Sequence, residues 1–152
     1  MATIEGIPDL VNSLESLMTI WDDPAVVHAG ADVLVQQQKQ NVRQKLNKNP
    51  RGVLEGALQV IPIDSRNAEA GIPANTIIYA LAHEFGVTIY PKKAKALRFE
   101  IDGKVIFAKK VKLPARPYVR PSVQQAQYKA AMAVLKATKK KIMEITGNNA
   151  NE

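Results

Sequence analysis

His83-Glu84 sets side by side two residue types that metal and acid–base chemistry use, and the comparison it invites is the zinc-protease helix motif. That motif requires a second histidine one helical turn further on, where this chain has Val87. The pair therefore reads as a half-buried histidine and a glutamate answering a basic neighbour. The other histidine, His28, is remote in sequence and cysteine is absent, so neither a clustered His/Cys metal site nor a disulfide can be written. There is no Gly-x-Ser-x-Gly elbow, no glycine-rich phosphate loop ahead of a helix, and no pair of carboxylates in a convincing context. The expectation is a protein without catalytic machinery, metal or cofactor.

The segment Pro114-Ala115-Arg116-Pro117-Tyr118-Val119-Arg120-Pro121 points to a different kind of chemistry. Its three prolines favour an extended backbone with few ladder hydrogen bonds, which makes a rigid strap. Arg116, Tyr118 and Arg120 project from it, and these residue types suit interfaces because they bury area at small entropic cost or make forked hydrogen bonds. The alternative is a stiff strand-to-helix connector whose arginines are solvated or answer Glu84.

The elements that must position these residues are legible from periodicity. Apolar residues from Ile7 to Trp21 recur at helical spacing and predict a first amphipathic helix over about Pro8 to Ile20. Asp23-Pro24 is a start signal for a second helix running to about Leu46: an N-cap carboxylate followed by a proline whose missing N–H costs nothing at the first helical position. Its buried face is expected at Val27, Ala31, Leu34, Val35, Val42 and Leu46, with the polar run Gln36 to Gln40 solvated, and Asn47 to Pro50 ending it. A short turn at Leu54 to Gly56 leads into a strand that Pro62 should stop near Ile61. Asp64 to Asn75 reads as a loop and a candidate mobile arm. Thr76 to Leu81 is compatible with a strand and Tyr79 to Phe85 with a helical turn, Gly86 closing the element either way. Leu97, Phe99 and Ile101 alternate before Asp102-Gly103, and Val105 and Phe107 alternate after it, which predicts a hairpin with Phe99 and Phe107 on its covered face. Ser122 is expected to cap a long last helix whose apolar face runs from Val123 through Ala126, Ala130, Val134 and Leu135 to Ile142 and Ile145, with Lys129, Lys136 and Lys140 opposite.

The fold class predicted is α+β: a three- to four-stranded, mainly antiparallel sheet with a long β-hairpin, packed against two N-terminal helices and one long C-terminal helix. The 152 residues suffice for one domain, taken as 1–146 with a disordered tail at 147–152. No stretch approaches the roughly 20 apolar residues of a membrane span, and Glu5 and Asp9 stand where a secretory signal needs a basic start, so synthesis in a cytosol with no membrane partner is expected. The net charge of +7 is unevenly placed: up to Pro91 there are 6 Lys/Arg against 10 Asp/Glu, and from Lys92 onward 15 against 4. A basic second half favours acidic partners, whether nucleic acid or protein.

Three stretches in order carry a resemblance: Tyr79-Ala80-Leu81-Ala82-His83-Glu84-Phe85-Gly86; Pro91-Lys92-Lys93-Ala94-Lys95-Ala96-Leu97-Arg98-Phe99; and Ala115-Arg116-Pro117-Tyr118-Val119-Arg120-Pro121. This arrangement resembles the tail-completion proteins of tailed bacteriophages, the neck or virion-morphogenesis group that joins heads to tails. In that family a tyrosine-alanine start leads to a Glu/Gln-Phe-Gly turn, an optional basic hairpin follows, and an Ala-Arg-Pro-aromatic strap precedes a closing helix. The helix pair and the Arg51-Gly52-Val53-Leu54 turn are also similar, so the resemblance spans most of the chain. It implies a structural virion subunit at the neck or tail end. Such a subunit forms a homo-oligomeric ring, sixfold favoured and twelvefold the alternative, beside neck, tail-tube or connector proteins. The candidate assembly interface is Tyr79, Glu84, Phe85 and Gly86, Lys109 and Lys110 at the end of the hairpin, and Arg116, Pro117, Tyr118, Arg120 and Pro121 in the strap. The loop 64–75 is expected to order on docking. A second reading has Lys92, Lys93, Lys95, Lys109, Lys110 and Lys112 touching genomic DNA phosphates, as a small basic nucleic-acid-binding protein would, with binding that weakens steeply with salt.

Overall fold

The computed structural model describes residues 7–46, 52–74, 76–77, 79–101 and 103–147. Helix α1 (Ile7–Met18) runs through a single 3₁₀ turn (Ile20–Asp22) into helix α2 (Pro24–Lys45). Asp23 is the N-cap of α2, accepting from the Ala25 N–H at 2.8 Å, with Pro24 in the first helical position as the sequence predicts. Leu46 closes the helix through its N–H to the Val42 carbonyl. The expected terminator 47–50 lies outside the described residues.

The short helix α3 (Val53–Gly56) leads into strand β1 (Gln59–Pro62), which pairs antiparallel with β2 (Ala68–Gly71) from Gln59 opposite Gly71 to Pro62 opposite Ala68. Pro62 is thus the last residue of the strand, where it interrupts no ladder. The segment read as a mobile loop is instead the turn and second strand of this hairpin. Asp64 organises the turn, its carboxylate accepting from the Arg66 N–H and the Asn67 side-chain amide. Arg66 then reaches Asp22, fastening the hairpin tip to the 3₁₀ turn. A short polar run thus forms an Asx-type turn between strands too brief to show alternation.

Helix α4 (Tyr79–Phe85) realises the helical reading of its segment. It is followed by β3 (Val87–Ile89), the hairpin β4 (Leu97–Ile101) and β5 (Lys104–Ala108), β6 (Val111–Leu113) and helix α5 (Val119–Ile145). β3 pairs with β6, so β4–β5 is an excursion bracketed by that pair. Gly103 at the tip has φ +77°, the left-handed conformation such a turn needs, while Asp102 lies outside the described residues. The α+β class, the antiparallel pairing, the hairpin and the long closing helix match the sequence reading. The strands form three two-stranded sheets rather than one continuous sheet.

The frame is α2 against α5. Asp23 meets Lys141, Gly30 meets Val134, Gln37 meets Gln125 and Asn41 meets the Tyr118 carbonyl, so the two helices run antiparallel. Small residues let them close: a Cβ on Gly30 would stand 2.8 Å from a Val134 methyl, and Ala31, Ala126 and Ala130 are buried around this crossing. The core lies at the other end of α2, where Val35, Val42 and Leu46 meet Leu54, Leu58 and Tyr118. The polar run of α2 is not all solvated. Gln38 is buried and donates to the Ala70 carbonyl at 2.9 Å, and Asn41 is buried and donates to the Tyr118 carbonyl at 3.1 Å. Both satisfy backbone acceptors of irregular or edge segments that α2 covers and that would otherwise be stranded away from water. Val27 and Leu34 are only partly covered, the buried stripe being rotated towards Val26 and Gly30. Among the described residues no helix is long and apolar enough to cross a membrane.

Candidate assembly surface

Most of the predicted site residues meet at one junction, built by α4, the strap and the start of α5. Gly86 ends α4 with φ +74°, and a Cβ there would stand 2.9 Å from the Ala115 nitrogen and 3.0 Å from the Leu113 carbonyl. This position demands glycine twice, for conformation and for room. The close approach lays the strap along α4, where the Arg116 N–H donates to the His83 carbonyl at 2.7 Å. Tyr79 stands edge-on to the His83 ring one turn earlier.

Glu84 is the centre of the junction. It is 4% exposed, and its carboxylate accepts from the backbone N–H groups of Tyr118 (2.7 Å), Val119 (3.0 Å) and Arg120 (3.2 Å). A helix begins with four N–H groups that lack an intrahelical acceptor. Here three go to Glu84 and the fourth does not exist, because the next residue is Pro121. α5 is therefore capped by a carboxylate from another element, placed where a helix N-terminus favours negative charge. Arg120 closes the ring, its Nε 3.3 Å from Glu84 and its guanidinium 5.0 Å above the Phe85 ring. Burial pushes the Glu84 carboxyl up, but the three N–H groups and Arg120 outweigh it and leave it below its ordinary range. Burial and then the Glu84 charge push the Tyr118 phenol up to about 12. The His83 imidazole is lowered by burial and then by the Arg116 charge.

Several expectations are corrected by this arrangement. Glu84 and Tyr118 face inward and offer nothing to a partner; Tyr118 is 3% exposed and belongs to the core. Ser122 does not cap α5: it lies inside the helix, fully buried, its hydroxyl returned to the Val119 carbonyl. Pro117 presents its carbonyl to Lys45 at 2.7 Å. Arg120 answers Glu84, the connector reading of the strap. Outward from the junction remain Tyr79, Phe85 and Arg116, beside an apolar groove whose wall continues through Leu81, Val87 and Ile89. Lys109 and Lys110 stand apart from it, exposed in the link from β5 to β6.

Sequence reasoning missed how much apolar surface stays uncovered. On the β4–β5 hairpin Val105, Ile106 and Phe107 are all exposed, the last at 67%; Leu97, Phe99 and Ala108 on one face are half-buried, while Phe107 lies on the other with Val105, so the expectation that Phe107 is a core position fails. Alternation predicts a covered face only when a second layer exists, and β4 and β5 pack chiefly on each other. α5 divides the broad apolar face read from its sequence. Ser122, Ala126, Ala130 and Thr138 are buried on the α2 side, whereas Tyr128, Met132, Leu135 and Ile142 form a separate exposed stripe. On α1, Leu10, Val11, Leu14 and Met18 are likewise exposed. Among the described residues no three potential metal ligands converge. What the geometry offers is area for association. No protein-family model matches the chain, and neither a curated protein nor a solved structure is significantly similar to it.

Proposed function

We propose that this chain is a structural subunit of a tailed bacteriophage, a tail-completion or neck protein that works without catalysis by closing a ring at the head-to-tail junction. The observation that carries the reading is the β4–β5 hairpin. It packs chiefly on itself with apolar side chains on both faces, at the place in the motif order where the resemblance puts an optional basic hairpin. Exposed apolar patches of this kind mark surfaces meant to be covered, and identical subunits with heterologous contacts close into rings when the rotation allows. Phe85 before the hairpin and Arg116 after it are exposed and belong to the candidate interface. Neighbouring neck, tail-tube or connector proteins are the proposed partners, and the assembled virion the proposed location.

The test has two parts. Light scattering on the purified chain should give the mass of a closed ring, about 100 kDa for six copies of 16.7 kDa or twice that for twelve. Removal of the hairpin from the gene in its phage should leave unjoined heads and tails. Normal virions from that phage would overturn the proposal.

One observation favours a second reading. Phe107 and Tyr90 are exposed within the lysine-rich half, which supplies stacking faces next to Lys109 and Lys110. In this reading the subunit grips nucleic acid, and the isolated chain binds DNA with an affinity that falls steeply between 50 and 200 mM salt, roughly tenfold or more. A Phe107→Ala variant would then weaken binding, whereas an assembly role leaves DNA affinity negligible throughout.

A further inference from the structure

Two of the uncovered apolar stripes are complementary. α1 presents Leu10, Val11, Leu14 and Met18, the last 78% exposed, and carries Asp9 and Glu15 with no basic residue. The first 38 residues of the chain contain no Lys or Arg at all. On α5, Tyr128 (75% exposed), Met132, Leu135 and Ile142 repeat at spacings of four, three and seven, the pattern of a seam that receives another helix. Lys129, Lys136 and Lys139 line the same surface, Lys139 on the seam itself between Leu135 and Ile142, within a helix holding six Lys/Arg against one Glu. At 1.5 Å per residue α1 is about 18 Å long and the seam from Tyr128 to Ile142 about 21 Å, so the lengths match.

Within one chain α1 touches α5 near its C-terminal end, where Ser16 lines a cleft with Lys141, Glu144 and Ile145, and the two exposed stripes do not meet there. The root of α1 is held at the α2-facing side of α5 by buried Ile20 and by the Asp23–Lys141 ion pair of 2.9 Å. The Tyr128 seam lies on the opposite side of α5, because Ala126, Ala130 and Thr138 occupy the side that α2 covers. A three-residue 3₁₀ turn gives no length to pass around a helix some 10 Å across.

We infer that α1 of one copy docks on the Tyr128–Met132–Leu135–Ile142 seam of α5 in the next copy, acidic helix on basic seam. The contact is heterologous, using different surfaces on the two partners, so it propagates head to tail and closes into a ring. It rests on the ring-subunit reading for its setting, though not for its chemistry. It also gives the charge asymmetry a role, since opposite ends of the sequence attract between copies and like ends repel.

The experiment is a charge swap between copies, read by light scattering on the full-length protein. One variant carries Asp9→Lys and Glu15→Lys, the other Lys129→Glu and Lys136→Glu; all four residues are exposed, and circular dichroism checks that both variants stay folded. Wild type should associate, each variant should fall to the 16.7 kDa monomer, and an equimolar mixture should regain the wild-type mass, because each variant then supplies what the other lost. Leu14→Asp and Met132→Asp, which interrupt the apolar seam itself, should also give monomers. A wild type that is monomeric at every concentration overturns the inference. So do variants that associate like wild type, or a mixture that stays monomeric, and these leave the ring reading standing if wild type still forms rings. Conversely, a restored mixture together with normal head–tail joining in a phage lacking the gene keeps this contact and removes the neck assignment.

Discussion

Replacing Glu84 by alanine takes the only carboxylate from the start of α5 and leaves the Tyr118, Val119 and Arg120 N–H groups without their acceptor. A hydrogen bond to a charged group contributes about 1.5–3 kcal/mol. The three share one carboxylate and are not additive, and water can reach the Arg120 side, so the total should resemble the loss of one partner from a buried pair, about 3–4 kcal/mol. For a chain of this length that lowers Tm by roughly 7–14 °C. Glu84→Gln keeps one acceptor oxygen but turns an amide NH₂ towards donors, and should cost about 1–2 kcal/mol. Urea unfolding followed by circular dichroism at neutral pH measures both. An alanine variant within about 1 kcal/mol of wild type, or a glutamine variant as damaged as the alanine one, refutes the capping role. The pH dependence gives an independent check. The folded carboxyl sits below its ordinary range, so its stabilisation is complete above that range and is lost as pH falls through the folded value. The gap between wild type and Glu84→Gln should therefore narrow on the acid side.

Four further outcomes follow from the same geometry. Gly86→Ala must adopt a left-handed backbone against the Ala115 nitrogen and the Leu113 carbonyl, and should cost about 2–3 kcal/mol in urea unfolding. Gly30→Ala gains about 1 kcal/mol of helix propensity but drives a Cβ to within 2.8 Å of a Val134 methyl. It should be destabilising alone, and Val134→Ala should relieve part of that cost in a double-mutant cycle. Excising the hairpin tip from Glu100 to Val105 should leave the unfolding midpoint unchanged, since the hairpin supplies no residue to the core cluster, while abolishing association. In a spectrophotometric titration one tyrosine, absent in Tyr118→Phe, should ionise near the value of about 12 given by its burial.

How much of this was written plainly in the sequence depends on whether each signal is local. Asp23-Pro24 and the glycine at the hairpin tip act within a few residues, and the structure uses both as read. The β1–β2 hairpin escaped because its strands are four residues each and its turn is polar, which looks like a loop until Asp64 is seen binding Arg66 and Asn67. Glu84 and Tyr118, both expected at an interface, meet at one buried junction and face inward. Their motif marks a junction between helix, strap and helix, and whether a motif residue faces in or out is decided by partners more than thirty positions away. Ser122 failed for the same reason: a serine near a helix start is a good cap only if no better acceptor arrives from elsewhere. Gln38, within the run expected to be solvated, is buried because polarity predicts exposure only on average, and the stranded carbonyl of Ala70 reverses that average locally, as that of Tyr118 does for the neighbouring Asn41.

The division of α5 into two stripes bears most directly on what the chain is for. Small side chains on the α2 side let two long helices approach closely, and that closeness needs no bulky apolar residue to complete the monomer. Tyr128, Met132, Leu135 and Ile142 are therefore surplus to the fold, yet each exposes apolar area that costs solubility until something covers it. Surplus apolar area running along about four helical turns among lysines is a specification for another helix of acidic character. α1 is such a helix, and the inference above seats its exposed stripe on a neighbour's α5. The fold thus keeps a core of Val35, Val42, Leu54, Leu58 and Tyr118 and leaves the Tyr128 stripe of α5 outside it, which is the surface the inferred contact between copies would cover.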